Sequence, residues 1–139
     1  MTEAKAHSPS PYAPLLTTHR PNLLPYESLY KHLHANGELS TQEAETSALI
    51  VSELRKLSSE FHLSDLSDDD AHLDIRTNIG GYGLIAILKN GPGPTVMLRA
   101  DMDALPVVEK TGLEYRSEKR MRDMTDGVEK GVMRKLVSC

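Results

Sequence analysis

The spacing of apolar residues along the chain changes character three times. From Pro25, Leu29 and Leu33 recur at helical spacing with Tyr30 beside them, and Asn36-Gly37 then predicts a stop. Ser40 follows as an expected N-cap, with Glu43 three residues on completing a capping box. Ala44, Ala48, Val51 and Leu54 then form one stripe flanked by Ile50 and Leu57, which predicts an amphipathic helix running to about Leu57. Over residues 74–90 the period shortens. Ile75, Thr77 and Ile79 alternate with polar neighbours, Gly80-Gly81-Tyr82-Gly83 interrupts, and Leu84 to Leu88 is continuously apolar, which predicts two strands or one long bent strand. Asn90-Gly91-Pro92-Gly93-Pro94 is a tight connection into a further expected strand, Thr95 to Arg99. Upstream, residues 1–21 hold Pro9, Pro11, Pro14 and Pro21 and no apolar periodicity, so a flexible N-terminal extension is expected there.

Composition narrows the class. With 139 residues, 4% aromatics, no Trp and one Phe, the chain is of one-domain size and any core rests on Leu, Ile and Val. A formal charge of −4 argues against nucleic acid or an anionic membrane as the main partner. The single Cys, Cys139, excludes an internal disulfide and a cysteine-rich zinc site. There is no apolar stretch of ~20 residues to span a bilayer and no basic-then-apolar leader, so a cytoplasmic protein is expected.

The candidate chemistry sits at the end of the last apolar run. Asp101 and Asp103, at i and i+2 after Thr95 to Arg99, would leave one face of a strand at its C-terminal end, where open α/β sheets bind ligands. Two carboxylates that close repel unless a cation or proton lies between them. His32 and His34 point ~200° apart on a helix, which favours structural or exposed histidines over a chelating pair. The acidic run Asp65, Asp68, Asp69, Asp70 lacks the spacing and glycine of a calcium loop and reads as a solvated connection. The glycines at 80–83 precede a strand instead of a helix, so they favour a turn or bulge over a phosphate loop.

Several separate stretches, in order, resemble one family. Leu33-His34-Ala35-Asn36-Gly37-Glu38-Leu39-Ser40, with Glu43 and Thr46, is similar to the opening helices of the metal-dependent amidohydrolases. That family includes hippurate hydrolase, N-acyl-amino-acid deacylases and indoleacetyl-amino-acid hydrolases. Gly80 to Lys89, Val96 to Pro106, Glu109-Lys110-Thr111-Gly112-Leu113 with Tyr115 and Ser117, Asp126-Gly127-Val128 and Gly131-Val132-Met133 continue the resemblance. Gly37 stands where the family usually has Pro. The resemblance covers about residues 26–133. It implies an α/β fold, here a partial zinc-exopeptidase-like three-layer arrangement of two N-terminal helices, a β-hairpin and a core strand. Residues 22–133 would then form the N-terminal part of the catalytic domain, and 134–139 a tail foreign to the family.

The activity implied is hydrolysis of an amide bond in N-acyl amino acids or small peptides. Two divalent metals, zinc or manganese, would activate water, and a glutamate would shuttle the proton. Asp103 takes the position of the family's carboxylate beside the metal centre, where it orients a ligand. Asp101 falls where related metallopeptidases have a metal-binding His, which leaves its role open. After Gly-Val-Met the family continues His-Ala-Cys-Gly-His-Asp, whereas this sequence reads Met133-Arg134-Lys135-Leu136-Val137-Ser138-Cys139. No Gly-His-Asp follows Cys139, so it is not equated with the ligand Cys. The expectation is a chain truncated before the metal ligands, holding no metal stably and inactive as written. An unspliced intron would account for such an ending, because Arg-Lys-Leu can be encoded with the 5′ splice signal GTAAGT.

Two other readings compete. Asp101-Met102-Asp103 also resembles the Asp-x-Asp of haloacid-dehalogenase-type phosphatases, but Ala104-Leu105-Pro106 departs from that pattern. The other is a non-catalytic fragment or interaction module, a homo-oligomer or the partner of a full-length paralogue, since missing elements would leave a sheet edge and an apolar face uncovered.

Overall fold

The computed structural model describes residues 10–61 and 72–134. The elements are α1 (Ala13–Thr18), α2 (Glu27–Ala35), α3 (Ala44–Glu60), β1 (His72–Ile79), β2 (Gly83–Lys89), β3 (Ala104–Leu105), β4 (Arg120–Arg122), β5 (Glu129–Gly131) and β6 (Met133–Arg134). The strands make three two-stranded antiparallel sheets: β1 with β2, β3 with β6, and β4 with β5. The architecture is a mixed α/β unit with the two expected helices and the expected hairpin. The acidic run 65–70 lies outside the described residues.

Local chemistry explains the helix ends. A 3-10 turn at Leu24–Tyr26, with Pro25 in its first turn, leads into α2. There Glu27 and Lys31 pair at 2.7 Å with i, i+4 spacing. Asn36 ends the helix, its backbone N–H and its Nδ2 both donating to His32 O. Helix α1 forms in the lead-in, with the Thr17 and Thr18 hydroxyls donating to Ala13 O and Pro14 O, but it buries no residue.

Helix α3 starts differently from expectation. Ser40 is not its N-cap: the capping position falls to Glu43, which makes no side-chain cap bond to the helix and instead accepts from Thr41 N at 2.9 Å. The orphan N–H groups of the first turn are satisfied from outside. Glu45 N and Thr46 N donate to the two carboxylate oxygens of Glu38, at 3.2 and 2.7 Å. A carboxylate reaches both donors and also carries the charge that a helix N-terminus favours. The buried face is accordingly Thr46, Ser47, Val51 and Ser58, with Ile50, Leu54 and Leu57 half-buried and Ala44 and Ala48 exposed.

The hairpin consists of two strands, in register from His72↔Lys89 to Arg76↔Ile85 and irregular before Ile79↔Gly83. Asn78, Gly80 and Gly81 have positive φ, so the glycine-rich stretch makes a bulged turn, as expected. The hairpin packs on α3.

The expected strand Thr95–Arg99 is not part of any sheet: residues 94–103 pair with no strand among the described residues, and pairing begins only at Ala104. β propensity reflects packing against neighbours on a pleated surface. Among the described residues Val96, Met97 and Leu98 have no such neighbours, and they are 81%, 84% and 95% exposed.

The hydrophobic core is small. Leu39, Ala104 and Val132 are buried together with Met121 against them. Leu39 and Ala104 form a parallel bridge, and Ala104 N donates to Glu38 O at 2.7 Å, which ties the α2–α3 connection to β3. Gly131 is required by close approach, because a Cβ there would lie 2.7 Å from Val108 Cγ2 and 2.9 Å from Val108 Cα.

Candidate functional site

The two carboxylates singled out in the sequence lie at the end of the unladdered run. Asp101 is exposed and engaged by its neighbour, with Arg99 Nη2 donating to its Oδ1 at 2.7 Å. Asp103 is half-buried, one residue before Ala104, whose N–H bond to Glu38 O fixes the chain at that point. The strand end that would set both aspartates on one face is not built among the described residues. No group of three or more His, Cys, Asp or Glu side chains that could hold a metal ion occurs among them either. A two-metal centre needs several such donors converging, so the described residues alone do not fit one.

The polar chemistry that the fold does bring together lies elsewhere. His34, in the last turn of α2, is 3% exposed and donates from Nε2 to Glu109 Oε1 at 2.8 Å. The Glu109 side chain is fully buried and also accepts from the Thr111 hydroxyl and, through Oε2, from Ser117 N at 2.6 Å. Burial pushes the Glu109 carboxyl up, but the donors from Thr111, His34 and Ser117 outweigh it and hold the group below its ordinary value. Because that carboxylate only accepts, Nε2 is the protonated nitrogen of the imidazole. Tyr115 stands edge-on to the His34 ring at 5.3 Å between centroids, and Tyr30 lies 6.0 Å from both rings. Burial and the nearby Tyr115 push the Tyr30 phenol up.

Glu38 is a second buried carboxylate. Besides capping α3 and fixing Ala104, it lies 3.9 Å from Lys119 Nζ, which pairs with Glu45 at 3.1 Å. Among the described residues no buried side-chain nitrogen or oxygen lacks a partner. These groups join four chain segments, so they work as a latch. At the β4–β5 hairpin a third group forms, in which Lys130 pairs with Asp123 at 2.7 Å and Asp126 at 2.8 Å. Lys130 and the Thr125 donors hold the Asp123 carboxyl far below its ordinary value.

His34 is thus the structural histidine expected, and His32 is exposed. The roles of Glu38 and Glu109 were not read from sequence. The available signal was an acid within an apolar neighbourhood, Glu38 beside Leu39 and Glu109 after Val107-Val108, where an ionised group persists only with donors around it.

The residues of this latch belong to the stretches that carry the family resemblance, and comparison with known proteins agrees. The chain is 39% identical over 89 residues to the amidohydrolase YhaA of Bacillus subtilis, covering 63% of this chain and 19% of that protein. To the N-acetyl-L-cysteine deacetylase of the same organism it is 38% identical over 89 residues, 63% of this chain and 18% of the relative. To the IAA-amino acid hydrolase ILR1-like 5 of Arabidopsis thaliana it is 33% identical over 88 residues, 63% and 17% respectively. The chain thus spans about a fifth of the length of these curated relatives. No family model and no solved structure matches it. Over about 63% of its length, this chain is similar to amidohydrolases, deacetylases of N-acetylated amino acids, carboxypeptidases and an IAA-amino acid hydrolase, which is consistent with a fragment of the amidohydrolase family.

Proposed function

We propose that this chain is the scaffold part of an amide-bond hydrolase for N-acyl amino acids or small peptides, and that by itself it is catalytically inert. One observation carries the reading. The stretches shared with amidohydrolases fold into the His34–Glu109 and Glu38 latch, while the described residues gather no set of metal donors. The substrate class follows the names of relatives, which are deacetylases of N-acetyldiaminopimelate and N-acetyl-L-cysteine and a hydrolase of IAA-amino acids. In the complete enzyme Asp103 would be the carboxylate beside two divalent metals, zinc or manganese, which supply a water acidic enough to ionise near neutrality. This chain would hold neither metal stably. Its net charge of −4 supports a protein without nucleic acid or an anionic membrane as main partner, and among the described residues no helix is long and apolar enough to cross a membrane.

The test has two arms. The purified chain, supplied with zinc or manganese, should release no acetate from N-acetyl amino acids. A chimera in which residues 26–133 replace the matching segment of the Bacillus N-acetyl-L-cysteine deacetylase should hydrolyse N-acetylcysteine and lose that activity on Asp103→Ala. Turnover by the isolated chain would refute its inertness, and a folded but inactive chimera would refute the scaffold role. The exposure of Val96, Met97 and Leu98 favours a second reading, a non-catalytic module that binds a full-length paralogue. Co-elution with such a paralogue in gel filtration would support it.

A further inference from the structure

The fold treats the two candidate aspartates differently. Asp101 is exposed and bonded to Arg99 on its own run. Asp103 is half-buried and leads into Ala104, which is buried between Leu39, through a parallel bridge, and Arg134, through the β3–β6 pair. The peptide directly after the Asp103 Cα donates its N–H, that of Ala104, to Glu38 O at 2.7 Å. The orientation of that peptide sets ψ at Asp103, so the Glu38 carbonyl bears on where the aspartate points.

Glu38 is itself held at both ends. Its buried carboxylate accepts from Glu45 N at 3.2 Å and Thr46 N at 2.7 Å in the first turn of α3, with Lys119 Nζ 3.9 Å away. A buried carboxylate keeps its charge only while donors surround it, and a helix N-terminus attracts it. The side chain thereby fixes the Glu38 Cα against α3. The next residue, Leu39, is fixed in the core with Ala104 and Val132. The peptide between them, whose carbonyl meets Ala104 N, is therefore anchored on either side. We propose that Glu38 is a positioning residue for Asp103, coupling the start of α3 to the placement of that aspartate through its carboxylate and its carbonyl. Asp101 lies outside this coupling. The use of the placement rests on the hydrolase reading, in which Asp103 is the orienting carboxylate; the coupling itself is a property of this chain and is measured on it.

Nuclear magnetic resonance of the full chain tests it. In the unaltered chain the Ala104 amide and the Glu38 carbonyl carbon should show a scalar coupling across their hydrogen bond. Asp103 should show the Hα–Hβ couplings of a single χ1 rotamer. Glu38→Gln keeps the size but sets an amide donor where the carboxylate accepts, so one α3 N–H loses its acceptor. Hydrogen exchange at Ala104 should then speed up by at least about tenfold, together with that at Glu45 and Thr46, and the Asp103 couplings should average over rotamers. The Ser117 amide, held by Glu109, and the Asp101 couplings should stay as they were. Glu38→Asp keeps the charge with a reach shorter by one methylene, and should move the same signals by a smaller factor. Faster exchange at Glu45 and Thr46 with Ala104 and Asp103 unmoved would overturn the proposal and leave Glu38 a helix cap only. Equal acceleration at Ala104 and Ser117 would overturn it as a general loosening. Absence of the coupling across the bond in the unaltered chain would do so whether or not a variant folds. Failure of the hydrolase reading shows separately, as a folded but inactive chimera with these signals of the full chain intact.

Discussion

Two regions of this molecule invert the usual relation between hydrophobicity and burial. The unit made by α2, the start of α3 and residues 104–133 is rich in buried polar groups. In the described residues only Leu39, Val51, Ala104 and Val132 are buried hydrophobics, against seven buried polar or charged residues including His34, Glu38 and Glu109. The stretch from β2 to residue 103 holds the most apolar sequence of the chain, yet Ile85, Ile87, Leu88, Val96, Met97 and Leu98 are exposed. A buried carboxylate needs donors from several segments and so specifies where those segments meet. An apolar strand specifies only that something must cover it. The first kind of information is complete within this unit; the second is not.

The contrast can be broken from the polar side with the greatest effect. Glu109→Ala leaves His34, the Thr111 hydroxyl and Ser117 N without their common acceptor, and should cost on the order of 3–5 kcal/mol in urea unfolding. The same carboxylate makes the unit acid-labile. Its folded value lies below the ordinary 4.5, so its contribution is complete above about that pH and is lost as pH falls through the folded value. Acid titration followed by circular dichroism should show this loss in the natural chain, and Glu109→Gln should remove that part of the pH dependence. Gly131→Ala drives a methyl group into the Val108 backbone and should cost about 1–3 kcal/mol, read as a lower unfolding midpoint. Glu38→Ala uncaps α3 and should cost about 1–2 kcal/mol, with faster hydrogen exchange at Glu45 and Thr46. On the apolar side, Asp101→Asn removes only an exposed ion pair and should leave the stability of the monomer unchanged within error.

What could be read from the sequence was local. The stop at Asn36-Gly37, the hairpin with its glycine turn, and the placement of His32 and His34 on different faces of α2 all depend on neighbours a few residues apart. The start of α3 was misread because the Ser40–Glu43 spacing satisfies a capping box, whereas Glu38, held by the Leu39–Ala104 bridge, takes the helix donors. The Thr95–Arg99 strand has the right composition, but a ladder needs a partner, and no spacing within the run reveals whether one is present. At the candidate site, Asp101 and Asp103 stand out by spacing and take their expected roles from the family resemblance, and among the described residues no group of three or more metal donors forms around them. Glu109 stood in the sequence as an acid after Val107-Val108 and as part of a family resemblance, but its role was not legible, because its donors come from residues 34, 111 and 117, and the first of these is 75 positions away.

The most direct test compares two single substitutions in urea unfolding, at a concentration low enough to keep the chain monomeric. Glu109→Ala should lower the midpoint strongly, and Leu98→Ser, at a side chain with almost no contacts to lose, should leave it where it was. The reverse ranking, or equal losses from both, would show that the apolar run and not the buried polar latch holds this unit together.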